Sequence, residues 1–315
     1  MAQIILHRYD KEADMIICTG EILADMIGKI EDGRICYDRF AGGAPFNVAC
    51  GLKKLGAKCG FCGCVGEDLI GDFLEDFAKS RGFDYLHLVR DQTRNTTLAF
   101  VELNEAGERK FSFFRKNTAD YALPAAAADE IADIAHVAHL GSLPLTQPQG
   151  RAFADTLIAK MHAKGKKVTF DVNYRDDLFA NEEEGVALYK KYVEAADIVK
   201  FSEEELVLFA AGETPEDRLK TIAGTDKVAL VTLGERGSMA CVCGKIYRSD
   251  SIRVHTVDTT GAGDAFFAGV LSALDEGKTD WNRILRRGNV CGALATEKKG
   301  AIDAFPDRDF VQRSL

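Results

Sequence analysis

Between residues 136 and 233 the sequence repeats one pattern, a short apolar run followed by a longer stretch with helical spacing. HVAHL (136–140) leads to RAFADTLIAKMHAK (151–164), and KVTFD (167–171) leads to EEGVALYKKYVEAA (183–196). DIVKF (197–201) and KVALVTL (227–233) continue the series, while MIICT (15–19) and MACVC (239–243) extend it on either side. Strands separated by a helix of ten or more residues cannot be hairpin partners, so they align in parallel with the helices packed over both faces. The expected fold is therefore α/β, a doubly wound and mainly parallel sheet spanning almost the whole length. No linker, internal repeat or low-complexity segment interrupts it; AAAA at 125–128 reads as a good helix former.

Two stretches break the rhythm. Residues 22–41 (ILADMIGKIEDGRICYDRFA) and 95–118 (NTTLAFVELNEAGERKFSFFRKNT) carry strand-like runs with no helix between them. NEAG (104–107) reads as a hairpin turn inside the second. Both are expected to form a small β lid, inserted into a core made of residues 1–21, 42–94 and 119–315.

A net charge of −9 and the absence of a Lys/Arg stripe argue against a nucleic-acid partner. No run approaches the ~18–20 apolar residues of a membrane span, and the charged N-terminus MAQIILHRYDKEADMIICTG does not read as a signal peptide. Cys62/Cys64 and Cys241/Cys243 are CxC pairs, each on one face of a strand, without the CxxC spacing of zinc or redox sites. The nine cysteines read as small buried hydrophobes in a reduced cytoplasm.

The stretch VDTTGAGDAFFAGVL (257–271) carries the chemistry. AFFAGVLSAL (265–274) is apolar nearly all round, as a buried helix would be. Gly261, Ala262 and Gly263 lead into it, and small residues there let backbone N–H groups converge on an anion. Asp264 adds an acid in the same turn. Alone it reads as a dipole partner; beside an anion nest it reads as a base for a hydroxyl attacking a bound phosphate. GAGDAF is not a dinucleotide fingerprint, because Phe266 stands where a third glycine belongs. GKT (277–279) is not a P-loop end, because Ser272 replaces the first glycine; Gly277 marks a helix C-terminus instead.

With GGAPFNVACGLKKLGAKCGFCGCVGEDLIGDFL at 42–74, roughly two hundred residues earlier, DTTGAGDAFFAGVL resembles the paired signatures of the ribokinase-like (PfkB) sugar kinases, over about residues 15–306. The resemblance implies a role for each matching position. Asp264 would be the general base and Gly261, Ala262 and Gly263 the anion hole. Asp25, Gly42, Gly43 and Asn47 would hold the sugar. Glu205 of SEEE (202–205) would organise Mg²⁺ through water, although Ser202 departs from the family's asparagine and the stretch also reads as a capped helix start. Asn173 and Arg175 of DVNYR (171–175) would face the nucleotide phosphates, with Thr232, Gly234 and Gly237 of TLGERG on the nucleotide side and Asn289 and KKGA (298–301) near the adenine. Asp258 and Thr260 resemble a monovalent-cation site, with K⁺ the candidate.

GGAPFNVA is closer to fructokinases than to ribokinases. FFRKNTADY (113–121) resembles fructokinases and also 2-keto-3-deoxygluconate kinases, in which an arginine at the position of Arg115 helps hold a carboxylate. The implied reaction is transfer of the γ-phosphoryl of Mg-ATP to a sugar, with D-fructose first and the keto-deoxy sugar acid or another sugar or nucleoside as alternatives. A homodimer paired through the lid is expected. A non-catalytic sugar sensor on this fold would be expected to lack Asp264 or the glycines, and an NAD-dependent oxidoreductase would need the glycine fingerprint that fails.

Overall fold

The structure is a computed structural model, and it describes residues 15–103 and 109–315. The chain enters through β1 (Met15–Thr19), passes to a hairpin of β2 (Leu23–Glu31) and β3 (Arg34–Gly42), then runs through α1 (Ala44–Lys54), β4 (Cys59–Gly66), α2 (Leu69–Ser80) and β5 (Tyr85–Asp91). A second excursion, β6 (Leu98–Leu103) and β7 (Arg109–Phe114), precedes α3 (Ala125–Ile134), β8 (Ala135–Leu140), α4 (Pro148–Ala163), β9 (Lys167–Asp171) and α5 (Glu182–Ala195). Then follow β10 (Ile198–Ser202), α6 (Glu203–Phe209), α7 (Pro215–Ala223), β11 (Val228–Thr232), β12 (Ser238–Val242) and β13 (Lys245–Ser249). The chain ends in α8 (Ala262–Asp275), α9 (Trp281–Ala295) and α10 (Arg308–Ser314).

The large sheet has the order β13-β12-β11-β10-β9-β8-β1-β4-β5. It is parallel from β5 across to β11, and β12 and β13 add an antiparallel edge. Alternate side chains of each strand enter separate cores, as a period of two requires. Ile16 and Cys18 pack with α1, α8 and α9, while Ile17 packs with residues of α3, α4 and α5. Both faces are covered, so the sheet is doubly wound as expected from the alternation. The α8 helix is buried from Ala265 to Ala273, which is why its sequence is apolar all round.

Four strands form the smaller sheet, in the order β3-β2-β6-β7. Asp32 and Gly33, both at positive φ (51° and 73°), close the β2–β3 hairpin in the way a two-residue Asp-Gly loop favours. β6 lies parallel to β2 and antiparallel to β7. The NEAG turn expected between them lies outside the described residues. Leu23 and Ala99 of this sheet pack on Leu143 and Leu178, from the segments that follow β8 and β9. The small sheet is thereby set over the C-terminal ends of the parallel strands.

One sequence expectation needs correction. Cys62 and Cys64 do share a face of β4, but Cys243 lies past the end of β12, in a turn with Gly244. It is exposed, and Cys36 of β3 is half-buried; the other seven thiols are buried and all nine are free. Among the described residues no helix is long and apolar enough to cross a membrane.

Candidate active site

In open α/β sheets the ligand crevice lies at the carboxyl ends of the strands. Here that rim gathers Glu21 after β1, Gly141 after β8, Asn173 and Arg175 after β9, Glu205 beyond β10 and Thr232 at the end of β11. The N-terminus of α8 comes to the same place, as the Coulombic contacts of Asp264 with Lys200 and Arg175 require.

The turn into α8 is held from several sides. Asp258 accepts the Thr260 amide at 2.8 Å and the Gly300 amide at 3.0 Å. Gly261 caps the helix in the left-handed region (φ 76°), and a Cβ there would lie 2.6 Å from Ala301 Cβ. A Cβ on Gly263 would lie 2.9 Å from Lys200 Nζ. Gly261 is thus required by its backbone conformation and close packing, while Gly263 brings the loop backbone against the tip of Lys200.

Asp264 sits in that first turn, half-buried, and accepts a hydrogen bond from Asn47 Nδ2 at 2.8 Å. The two signature motifs meet in this bond, across 217 residues of sequence. Burial pushes the Asp264 carboxyl above its ordinary pKa, while Asn47, Lys200 and Arg175 pull it back. Asn47 Oδ1 is buried with no hydrogen-bond partner among the described residues. Asp25 comes from β2, and its side chain lies over Gly42 of β3: a Cβ at Gly42 would lie 2.1 Å from Asp25 Oδ2. Gly43 has φ 111° and admits no Cβ either, because the Glu21 carbonyl oxygen would be 2.4 Å away. Burial, with Asp264 adding to it and Arg175 opposing, pushes Asp25 up to about 7. Arg175 is exposed and has no hydrogen bond or ion pair to a described residue. Its charge acts on Asp25, Asp171 and Asp264 together, so it reaches the side of Asp25 as well as the expected phosphate side.

Several expected contacts are already committed elsewhere. Arg115 donates to Asp120 Oδ2 through Nε (2.8 Å) and Nη2 (2.5 Å), to Thr146 Oγ1 (2.5 Å) and to the Leu143 carbonyl (2.7 Å). Asp120 Oδ1 in turn accepts from Thr97 and Thr118 at 2.6 and 2.7 Å. The pair ties both ends of the β6–β7 excursion to the core. Asn289 donates to the Ser249 and Asp250 carbonyls, fastening the end of β13. Gly237 allows the loop after β11 to touch that same segment, since its Cβ would be 2.1 Å from the Ser249 carbonyl oxygen. Gly234 opens on free space, Thr232 donates weakly to the Phe201 carbonyl (3.4 Å), and Asn173 is held at φ 37°. Glu205 closes a capping box with Ser202 and also accepts the Tyr174 amide at 2.7 Å. Each of its oxygens retains a lone pair for water.

Three charged residues escaped the sequence reading. Lys200 donates to both oxygens of Asp171 at 2.9 Å, and each is buried in the middle layer of the sheet. Glu21 is 1% exposed, and neither carboxyl oxygen has a hydrogen-bond partner on another described residue. Burial pushes its pKa to about 8. The available signal was a charge placed inside an otherwise apolar run, DIVKF and KVTFD above all.

The pfkB family carbohydrate kinase profile matches residues 13–308. The Escherichia coli fructokinase is 35% identical over 306 residues, covering 93% of this chain and 96% of that protein. Among solved structures, the Xylella fastidiosa fructokinase with bound ATP superposes with a TM-score of 0.86 at 30% identity, covering 95% of this chain and 97% of that one. The Vibrio cholerae O395 fructokinase, bound to fructose, ADP and calcium ion, gives 0.84 at 32% identity, covering 96% and 98%. The chain belongs to the pfkB family of carbohydrate kinases. It is an ATP-dependent carbohydrate kinase with a ribokinase-like fold.

Proposed function

We propose that the chain is a fructokinase, transferring the γ-phosphoryl of ATP to the 6-hydroxyl of D-fructose. The observation that carries the reading is the placing of Asp264: a desolvated carboxylate in the first turn of α8, held by Asn47 and sharing that turn with the amides of Gly261, Ala262 and Gly263. Asp264 takes the proton as the sugar oxygen attacks phosphorus, and the bond to the departing ADP oxygen breaks. The loop amides stabilise charge on the phosphoryl oxygens in flight. Asp25, Asn47 and the backbone at Gly42 and Gly43 hold the acceptor, with Arg175 between the acceptor and the phosphates. Thr232, Gly234 and Asn173 line the nucleotide side. Gly237 and Asn289 shape that side by fixing the segment at Ser249 and Asp250.

The residues present suit Mg²⁺: Glu205 keeps lone pairs for its water shell, and Mg²⁺ when bound neutralises phosphate charge. Asp258 and Thr260 would hold K⁺ in the same way, at the base of the loop. The small sheet acts as a lid over the rim, and its apolar outer residues pair two copies into a dimer. Nine free thiols agree with a cytoplasmic setting.

Arg115 favours a neutral hexose, because its charge is already matched by Asp120. The unpaired Arg175 is the feature that favours a keto-deoxy sugar acid. A coupled assay of ADP release with ATP, Mg²⁺ and a panel of D-fructose, D-glucose, D-ribose and 2-keto-3-deoxygluconate separates these. Fructose should give the highest kcat/KM. A preference for the sugar acid would reassign the substrate, and silence with every acceptor would remove the kinase reading in favour of a sensor.

A further inference from the structure

We infer that Lys200 is an electrostatic positioning residue of the phosphoryl-transfer site, holding its charge against the anion-binding loop and Asp264. The inference rests on the kinase reading above.

β10 is a central strand, and Val199 and Phe201 are wholly buried on either side of Lys200, itself 6% exposed. Burying an ammonium costs several kcal/mol, and an apolar residue of like volume would often serve stability as well or better. Stability therefore does not account for a lysine here. The parallel register sets Lys200 opposite Asp171, and two of its three N–H donors go to the two oxygens of that carboxylate. The third has no acceptor among the described residues.

The two bonds to Asp171 hold the Lys200 tip beside Gly263. A Cβ built on that glycine would meet Nζ at 2.9 Å and Cε at 3.6 Å, so the tip of the lysine lies against the loop backbone. The ammonium stands between the Asp171 carboxylate and the loop. The pair is a buried dipole with its positive end towards the incoming phosphate, in a dry site where such a dipole acts strongly. Burial works against the charged lysine, but Asp171, Glu205 and Asp264 outweigh it and hold its pKa above the ordinary value.

Asp264 is faced by Asn47 from α1, Lys200 from β10 and Arg175 from the segment after β9; the acids Asp25 of β2, Glu21 after β1 and Asp171 of β9 surround the same space. The cations keep the base ionised, so loss of Lys200 moves the acid limb of kcat/KM to higher pH.

The test compares Asp171→Asn, which keeps the ammonium, with Asp171→Asn/Lys200→Met, which removes it without stranding a buried carboxylate. Affinity for the imido analogue of ATP with Mg²⁺ is measured by calorimetry, beside pH profiles for the acceptor. Asp171→Asn should hold the analogue as the wild type does and shift its acid limb to lower pH. The double variant should bind the analogue about tenfold more weakly and shift the limb upward, with the acceptor KM little changed. Equal affinity and equal limbs in the two variants would overturn the inference. Should the double variant fail to fold, Gly263→Ala keeps both charges and displaces the ammonium; unaltered analogue affinity there would overturn it equally. A wild type that binds the analogue but phosphorylates nothing would remove the kinase reading while leaving the analogue comparison intact.

Discussion

As the proposed base, Asp264 would meet two opposed demands: a base must be ionised, and burial resists ionisation. Asn47, Lys200 and Arg175 offset part of the burial without cancelling it, so the carboxyl stays above its usual range. Activity should accordingly fall as pH drops through that raised value, above the ~3.9 of an ordinary aspartate. Asp264→Asn keeps a partner for Asn47 and should bind sugar and nucleotide normally, yet lose ~10²-fold or more in turnover. Near-normal turnover, measured by ADP release, would exclude Asp264 as the base. Glu21 gives a prediction of stability. Its folded pKa of about 8 exceeds the usual 4.5, so the unfolded chain ionises first as pH rises. Stability is full below that lower value and is lost between it and about 8. Glu21→Gln should therefore exceed the wild type in unfolding free energy by a margin that widens from pH 5 to pH 8, reaching roughly several kcal/mol by urea titration. A constant margin would show that Glu21 does not carry its proton into the folded state. At this scale the glycines ahead of Asp264 singled it out and the family resemblance pointed to Asp25 and Asn47; the structure brings Asn47 onto Asp264. Glu21, Asp171 and Lys200 stayed hidden: a lone charge in a strand looks the same whether it faces solvent or a sealed interior.

Among the elements, the hairpins and the strand–helix alternation were legible because period and turn chemistry are local. β4, CGFCGCVG, was not in the series of apolar runs, since glycine and cysteine carry little strand propensity; it forms because both its faces are covered. β5 and β13 are partly exposed edge strands: β5 pairs with β4 across the intervening α2, and β13 pairs with β12 through a short turn. The Arg115–Asp120 pair was equally unreadable, as it depends on Thr146 and Leu143 arriving from beyond β8. It belongs to the join between sheets, where Asp120 is 1% exposed. Arg115→Met strands that carboxylate and should cost about 3–5 kcal/mol by urea unfolding, and adding Asp120→Asn should restore part of it. If the single change costs nothing, the pair does not anchor the β6–β7 excursion.

For the molecule as a whole, the large sheet supplies a rim and the small sheet covers it. Ile35 on the edge strand β3 and its partner Ile30 on β2 are 63% and 79% exposed. Isolated apolar edges of this kind invite pairing. Sedimentation should show a dimer at micromolar concentration, and Ile35→Asp should yield a monomer of unchanged Tm; a wild type that sediments as a monomer would reject the pairing. Neither the parallel β2–β6 pairing nor the seat of the small sheet on Leu143 and Leu178 could be read beforehand, since each joins segments far apart in the chain. The distribution of thiols has a practical result. Seven are sealed inside, while Cys36 rides on the small sheet and Cys243 sits at the opposite border of the large one. Maleimide dyes offered to the native protein would attach at those two positions, one on each sheet. Energy transfer between them, measured with and without nucleotide and sugar, would then report whether the proposed cover swings, with no residue of the natural chain exchanged.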